Sequence, residues 1–141
     1  MKLREIRRVI LHCSATREGQ DITAKQIKRW HTSPPRNWSD IGYHFVIRLD
    51  GTIERGRPIT RAGAHTKGHN ADSVGICYVG GVEEDGKTPK DTMTEAQERS
   101  FRALYSALCM VFDDPSLHGH NEFSTKACPS FSVEEKFPDF M

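Results

Sequence analysis

The sequence predicts an α/β fold, a mixed central β-sheet with helices packed on it, in a single domain spanning residues 1–141. Three observations carry that reading. A chain of 141 residues suits one domain with enough interior to stand without disulfides or structural metal. Short apolar runs bounded by turn residues alternate with stretches of helical periodicity. One hairpin signal, Asp50-Gly51, interrupts the alternation and adds an antiparallel pair.

Arg8 to Cys13 is the first strand, continuously apolar through Val9-Ile10-Leu11 and so buried on both faces. The basic stretch before it, Lys2 to Arg8, reads as a solvated lead-in interrupted by Glu5. Glu18-Gly19-Gln20-Asp21 is a turn. A helix follows, because Thr23 with Gln26 forms a capping box and Ile22 with Ile27 is spaced as a hydrophobic staple across it. Ile27, Trp30 and His31 share one face of that helix, and Ser33-Pro34-Pro35 stops it. Ile41 to Leu49 reads as a strand with Tyr43, Phe45, Ile47 and Leu49 on one face. Asp50-Gly51 turns the chain as a two-residue hairpin, and Thr52 to Arg55 returns.

Pro58 to Asp72 is a loop rich in glycine and histidine. Val74 to Val79 is another buried strand, closed by Gly80-Gly81, and Glu83 to Asp91 is polar and exposed. Thr94 and Gln97 open a second helix with a second capping box. Phe101, Leu104, Tyr105, Leu108, Cys109 and Phe112 recur along one face of it, and Asp114-Pro115 ends it. From His118 onward the sequence reads as loop with a terminal turn.

Lys and Arg number 20 against 19 Asp and Glu, a balance that argues against a nucleic-acid partner. No basic start with an apolar core marks a secretory signal, and no run is long enough to span or anchor in a membrane. Synthesis in the cytoplasm and a monomeric state are the expectations. The cysteines at positions 13, 77, 109 and 128 make no CxxC pair, so neither a disulfide framework nor a zinc ribbon is expected. Seven histidines exceed what packing needs and raise the question of a metal.

Imidazole and thiolate are zinc's preferred donors, and a catalytic site keeps three protein ligands. His12 at a strand end, with His120 and Cys128 in a late loop, offers such a set. Spacing alone leaves His118 and His31 open as substitutes for His120. Cys13, Cys77 and Cys109 read as core, His31 as a satisfied core histidine, and Trp38 as packing. Glu122 reads equally as a partner to an imidazole and as a surface carboxylate.

Five blocks carry a resemblance. They are His12-Cys13-Ser14-Ala15-Thr16, Gly42-Tyr43-His44-Phe45, Asp50-Gly51-Thr52, the run from His65-Thr66-Lys67-Gly68-His69-Asn70 to Ser73-Val74-Gly75-Ile76, and Lys126-Ala127-Cys128-Pro129. In order and spacing they resemble the phage T7 lysozyme type of N-acetylmuramoyl-L-alanine amidase, a family that includes the peptidoglycan recognition proteins. The resemblance implies Zn2+ held by His12, His120 and Cys128, with Tyr43 and Lys126 acting beside it. It implies peptidoglycan or a muropeptide as substrate, contacted by His65 and Asn70. Lys126 would face the developing oxyanion, and Tyr43 would position or deprotonate the attacking water. The chain departs from the family in the linker from Ser33 to Asp40 and at Thr125, where related sequences often carry proline.

Three other functions compete. Superfamily members that bind peptidoglycan without cutting it lack the cysteine ligand, which is present here as Cys128. His120-Asn121-Glu122 imitates the H-x-E of nucleotide deaminases, but no P-C-x-x-C follows. Two histidines and a cysteine also suit a blue-copper site, which the neighbouring Lys126 disfavours. Within the amidase reading, an endolysin that reaches the wall at lysis and an enzyme trimming recycled muropeptides both fit.

Overall fold

The structure, a computed structural model, describes residues 4–141. At its centre lies β1 (Arg8–Cys13), buried from Val9 onward as its unbroken apolar run requires. β1 pairs in parallel with β5 (Ser73–Tyr78) on one side and with β7 (Ser116–Gly119) on the other. Beyond β5 come β3 (Phe45–Ile47), also parallel, and β4 (Ile53–Arg55), which is antiparallel to β3. The sheet order is therefore β4-β3-β5-β1-β7, a mixed sheet with helices packed on it. A small parallel pair, β2 (Thr16–Arg17) with β6 (Gly81–Val82), extends the far end of β1 and β5.

Helix α1 (Ala24–Thr32) starts where its capping box places it, with Thr23 and Gln26 exchanging both bonds. Ile22 and Ile27 join one apolar cluster with Ile41, Val46, Cys77 and Val79, the staple expected across the cap. Ile27 and His31 are buried, but Trp30 is 43% exposed, so the apolar face is narrower than the spacing suggests. Trp30 lies about 60° round the helix from Ile27, at the rim of the buried stripe.

Helix α2 (Glu95–Phe112) covers the opposite sheet face. Phe101, Tyr105 and Leu108 meet Val9, Leu11, Val74, Ile76 and Tyr78 there, with Phe137 added from the C-terminus. Gln97 does double service. Its Oε1 accepts the Thr94 N–H as part of the cap, and its Nε2 donates to the carbonyls of Ile47 and Val79. The fully buried amide thus ties the helix start to two strand ends.

Several expectations need correction. The strand read as Ile41 to Leu49 is regular only over Phe45–Ile47. Phe45 and Ile47 pack on the α2 side, whereas Tyr43 and Leu49 pack with Val46 on the α1 side. The consecutive carbonyls of Tyr43 and His44 accept from Arg57 and Gly56, which a regular ladder does not allow, and the irregularity breaks the two-residue alternation. The hairpin has three loop residues, Leu49 to Gly51, because Arg48 still pairs with Thr52 and Gly51 takes φ +91°. His118 and Gly119, which read as the start of a loop, belong to β7. Its only buried apolar side chain is that of Leu117, so backbone pairing with β1 holds it. The C-terminal turn is a short helix, α3 (Val133–Lys136), followed by a 3-10 turn.

Within the basic lead-in Glu5 and Arg7 are solvated as expected, but Arg4 and Arg8 are tied to the fold and Ile6 is buried. The Arg4 guanidinium donates to the carbonyls of Ile59, Asn70, Ala71 and Ser73, clamping the long loop against β5. Arg8 pairs with Asp72 at 3.2 Å. Lys2 and Leu3 lie outside the described residues.

Candidate active site

Parallel strands leave ligand-binding space beyond their carboxyl ends, and His12 stands at that end of β1. Its partners arrive from the chain beyond β7. A 3-10 turn, His120–Glu122, begins as β7 ends and sets His120 beside His12, with ring centroids 4.5 Å apart. The segment that follows returns Cys128 to the end of β1, where the Cys13 N–H donates to Cys128 Sγ at 3.1 Å. One donor atom each from His12, His120 and Cys128 lies within 4.8 Å of the others, and His12 Nδ1 is 3.8 Å from Cys128 Sγ.

The loop carrying Cys128 is tied down at several points. Tyr78 Oη donates to the Pro129 carbonyl at 2.7 Å, Ser130 Oγ to the Gly81 carbonyl at 2.7 Å, and Asn121 Nδ2 to the Phe131 carbonyl at 3.0 Å. The Lys126 N–H donates to Ser124 Oγ at 3.0 Å. The Ser124 hydroxyl thus restrains the turn that carries Lys126.

The structure separates the candidate histidines. His118 has Nδ1 2.9 Å from Glu122 Oε1 and Nε2 2.7 Å from Ser116 Oγ, so neither nitrogen is free for a metal. Glu122 also accepts the Gly119 N–H, which makes it a brace for the turn before His120 and not a partner of His120 itself. His31 Nδ1 accepts the Gly42 N–H at 2.9 Å, the satisfied core histidine expected. Burial, aided by Arg36 and Arg57, holds its pKa down to about 4.

Electrostatics favour neutral ligands. Burial pushes His12 well below the usual imidazole range, with His65, His120 and Lys126 acting in the same direction. Burial and then Lys126 lower His120. Both rings therefore keep a lone pair at neutral pH. The contact between the two thiols lowers Cys13 to about 7, while that contact and then burial raise Cys128. The backbone N–H on Cys128 Sγ favours the charge there.

Two adjoining cavities flank the trio. One of 210 Å³ is lined by Ser14, Trp30, His31, Arg36 and Tyr43, together with His120, Lys126 and Cys128. The other, of 420 Å³, is lined by Trp38, His65, Lys67, Asn70 and Phe123. His120 and Lys126 border both, so they sit where the cavities meet. Tyr43 lies between His12 and His31, with centroids at 5.1 and 5.5 Å. Burial first, and the nearby thiols of Cys77, Cys128 and Cys13 second, keep its hydroxyl protonated. Trp38 packs edge-on to His31 at 4.8 Å and also forms cavity wall.

His65 and Asn70 border the larger cavity, but both ring nitrogens of His65 and the Oδ1 of Asn70 bond to the protein. Asn70 Oδ1 accepts the N–H groups of His65 and Thr66. His65 is buried and meets His12, Thr66 and Ser73. Sequence reasoning missed Thr66, Arg36 and Phe123. Thr66 sits inside a quoted motif, but Arg36 and Phe123 lie in segments with no periodicity to mark them.

The arrangement can hold a cation with two imidazoles and a thiolate, and it sets a lysine and a tyrosine beside the open side. The N-acetylmuramoyl-L-alanine amidase family profile matches residues 2–131. The chain is 40% identical to the endolysin of Escherichia phage T7 over 126 residues, 89% of this chain and 82% of that one. It is 40% identical to the endolysin of Klebsiella phage KP32 over 133 residues, 94% and 86% of the two chains. Among solved structures it is similar to the N-acetylmuramoyl-L-alanine amidase LysC from Clostridium intestinale. That match has a TM-score of 0.79 and 31% identity, over 96% of this chain and 85% of that chain.

Proposed function

The chain belongs to the N-acetylmuramoyl-L-alanine amidase family, and from that premise we propose that residues 1–141 form one zinc-dependent catalytic domain acting as an endolysin. As an amidase of peptidoglycan it cleaves the amide between N-acetylmuramic acid and L-alanine. The observation that carries the zinc reading is the convergence of His12, His120 and Cys128 at the junction of two cavities. The donor set suits the metal. Zinc bonds of about 2.0 Å to nitrogen and 2.3 Å to sulfur at a tetrahedral angle imply an N-to-S edge of about 3.5 Å. The 3.8 Å between His12 Nδ1 and Cys128 Sγ needs only a small contraction.

Zinc held there supplies Lewis acidity, polarising a carbonyl and easing the deprotonation of water. The protein's own groups do the rest. Lys126 borders both cavities, and its ammonium meets the amide oxygen as negative charge develops on it. Tyr43, protonated and anchored between two imidazoles, donates a hydrogen bond that orients the reacting groups. His12 and His120, held neutral, keep their lone pairs for the metal. No aspartate or glutamate lines either cavity among the described residues, so the paired carboxylates of a glycosidase are not part of this site.

Among the described residues no helix is long and apolar enough to cross a membrane. We place the protein in the cytoplasm as made, a monomer that reaches the wall at lysis. The test is digestion of intact peptidoglycan and soluble muropeptides side by side, with product analysis. Free L-alanine amino termini are expected from both, with faster release from intact wall. New reducing sugar ends would refute the amide reading, and release from muropeptides alone would replace the lytic role with wall recycling.

A further inference from the structure

His12 offers Nδ1 to the donor trio and turns Nε2 away from it. The outward nitrogen meets His65 Nδ1 at 2.9 Å, and the Thr66 hydroxyl flanks that contact at 3.3 Å. The two rings stand perpendicular, at 89° with centroids 4.9 Å apart, so the contact is between ring edges. His65 Nε2 lies 3.2 Å from Ser73 Oγ, a fully buried hydroxyl on β5.

Donors and acceptors along this line fit one arrangement. A ring nitrogen facing a cation site must carry a lone pair, so the single proton of neutral His12 resides on Nε2. That buried N–H must find an acceptor, and His65 Nδ1 is in place. His65 then carries its own proton on Nε2, where Ser73 Oγ accepts it. The tautomers of both rings follow from the network.

The ring of His65 is also held by shape. A Cβ on Gly75 would stand 2.6 Å from it, and a Cβ on Gly63 the same distance from its Cδ2, so two glycines open the slot it fills. Asn70 Oδ1 pins the backbone at His65 and Thr66, and Arg4 ties the same loop to β5. A substrate contact would need none of this, and both His65 nitrogens are already engaged by protein.

We infer that His65 is a positioning residue that fixes the tautomer and orientation of His12, with Ser73 completing the line. The inference rests on the metal reading proposed above. It also makes a claim about the metal-free protein, so the two can fail separately.

Zinc affinity is measured by competition with a chromophoric chelator, and the His12 tautomer by nitrogen-proton NMR of metal-free protein. His65→Ala should weaken zinc binding by roughly 10- to 100-fold while KM for a muramyl peptide stays nearly unchanged. In metal-free protein, wild-type His12 should show one tautomer, protonated on Nε2, and His65→Ala a mixture. His65→Asn keeps an acceptor near the Nδ1 position and should recover most of the affinity. Ser73→Ala leaves the ring in place and should cost less, on the order of threefold. If His65→Ala does not fold, His65→Asn and Ser73→Ala decide by the same readouts. Unchanged zinc affinity together with an unchanged His12 tautomer would overturn the inference, as would a raised KM with zinc affinity intact. Failure of the wild type to bind zinc while His12 keeps its single tautomer would sink the metal reading alone.

Discussion

On the α2 face of the sheet, Val9, Leu11, Val74, Ile76 and Tyr78 meet Phe101, Tyr105 and Phe137. On the opposite face the same two strands present His12, Ser73, Gly75 and Cys77, with His44 and His65 packed among them. Both faces are sealed from water, yet they are specified differently. The α2 face is filled by volume, and one apolar shape can replace another at modest cost. The site face sets polar rings beside the apolar cluster under α1, and each ring must find its hydrogen bonds or pay the desolvation of an unpaired group. His44 illustrates the second rule, with Nδ1 accepting the Gly75 N–H and Nε2 donating to the Arg61 carbonyl. The α2 face therefore carries stability and the polar rings of the site face carry geometry, and substitutions should separate the two.

The largest effect belongs to the site face. Cys128→Ala should lose bound zinc and reduce turnover to background, while unfolding in urea shifts little when compared with metal-free wild type. Metal analysis beside an amidase assay checks this, and full zinc retention would remove Cys128 from the ligand set. The α2 face should respond in the opposite sense. Phe101, fully buried, should cost about 3–5 kcal/mol of stability as Phe101→Ala. Turnover per folded molecule should stay close to normal at low temperature. A parallel fall in turnover would mean that the two faces are coupled.

Within the site face, ligands and catalytic groups should separate next. Lys126→Ala should raise the barrier by about 3 kcal/mol, roughly a hundredfold in rate. Tyr43→Phe should cost on the order of 10²-fold or more. Both variants should keep zinc and substrate affinity, since these contacts strengthen only toward the transition state. Near-normal turnover in Lys126→Ala would make that lysine a surface charge, and loss of zinc in either variant would make the residue structural.

The smallest effect concerns pH. His31 and His44 are held near pKa 4 in the folded protein, chiefly by burial, against 6.5 unfolded. Between those values the unfolded chain binds more protons, so stability is full above about pH 6.5 and declines as pH falls toward 4. His31→Asn keeps an acceptor for the Gly42 N–H and removes the titration. Its acid-side stability slope should be shallower by at most about one proton. An identical slope in urea titrations across that range would show that His31 does not contribute.

The two capping boxes, the apolar run of β1 and the stripe of α2 were legible in the chain because each is a local pattern that local physics reads the same way in any fold. Family motifs extended that legibility to His12, His120 and Cys128. Other features were decided only by contacts between distant segments. β7 has too little apolar content to announce itself and exists because β1 offers a free edge. Tyr43 changed faces because the consecutive carbonyls at 43 and 44 are both claimed by the returning chain. His118 and His120 are the same chemical group two residues apart. Ser116 and Glu122 occupy the nitrogens of His118, while His120 is left facing His12. The sequence by itself determined which donors exist and where strands and helices begin. Tertiary structure decided which nitrogens remain free, because a hydrogen bond is allotted by proximity in space and a local pattern carries no record of that.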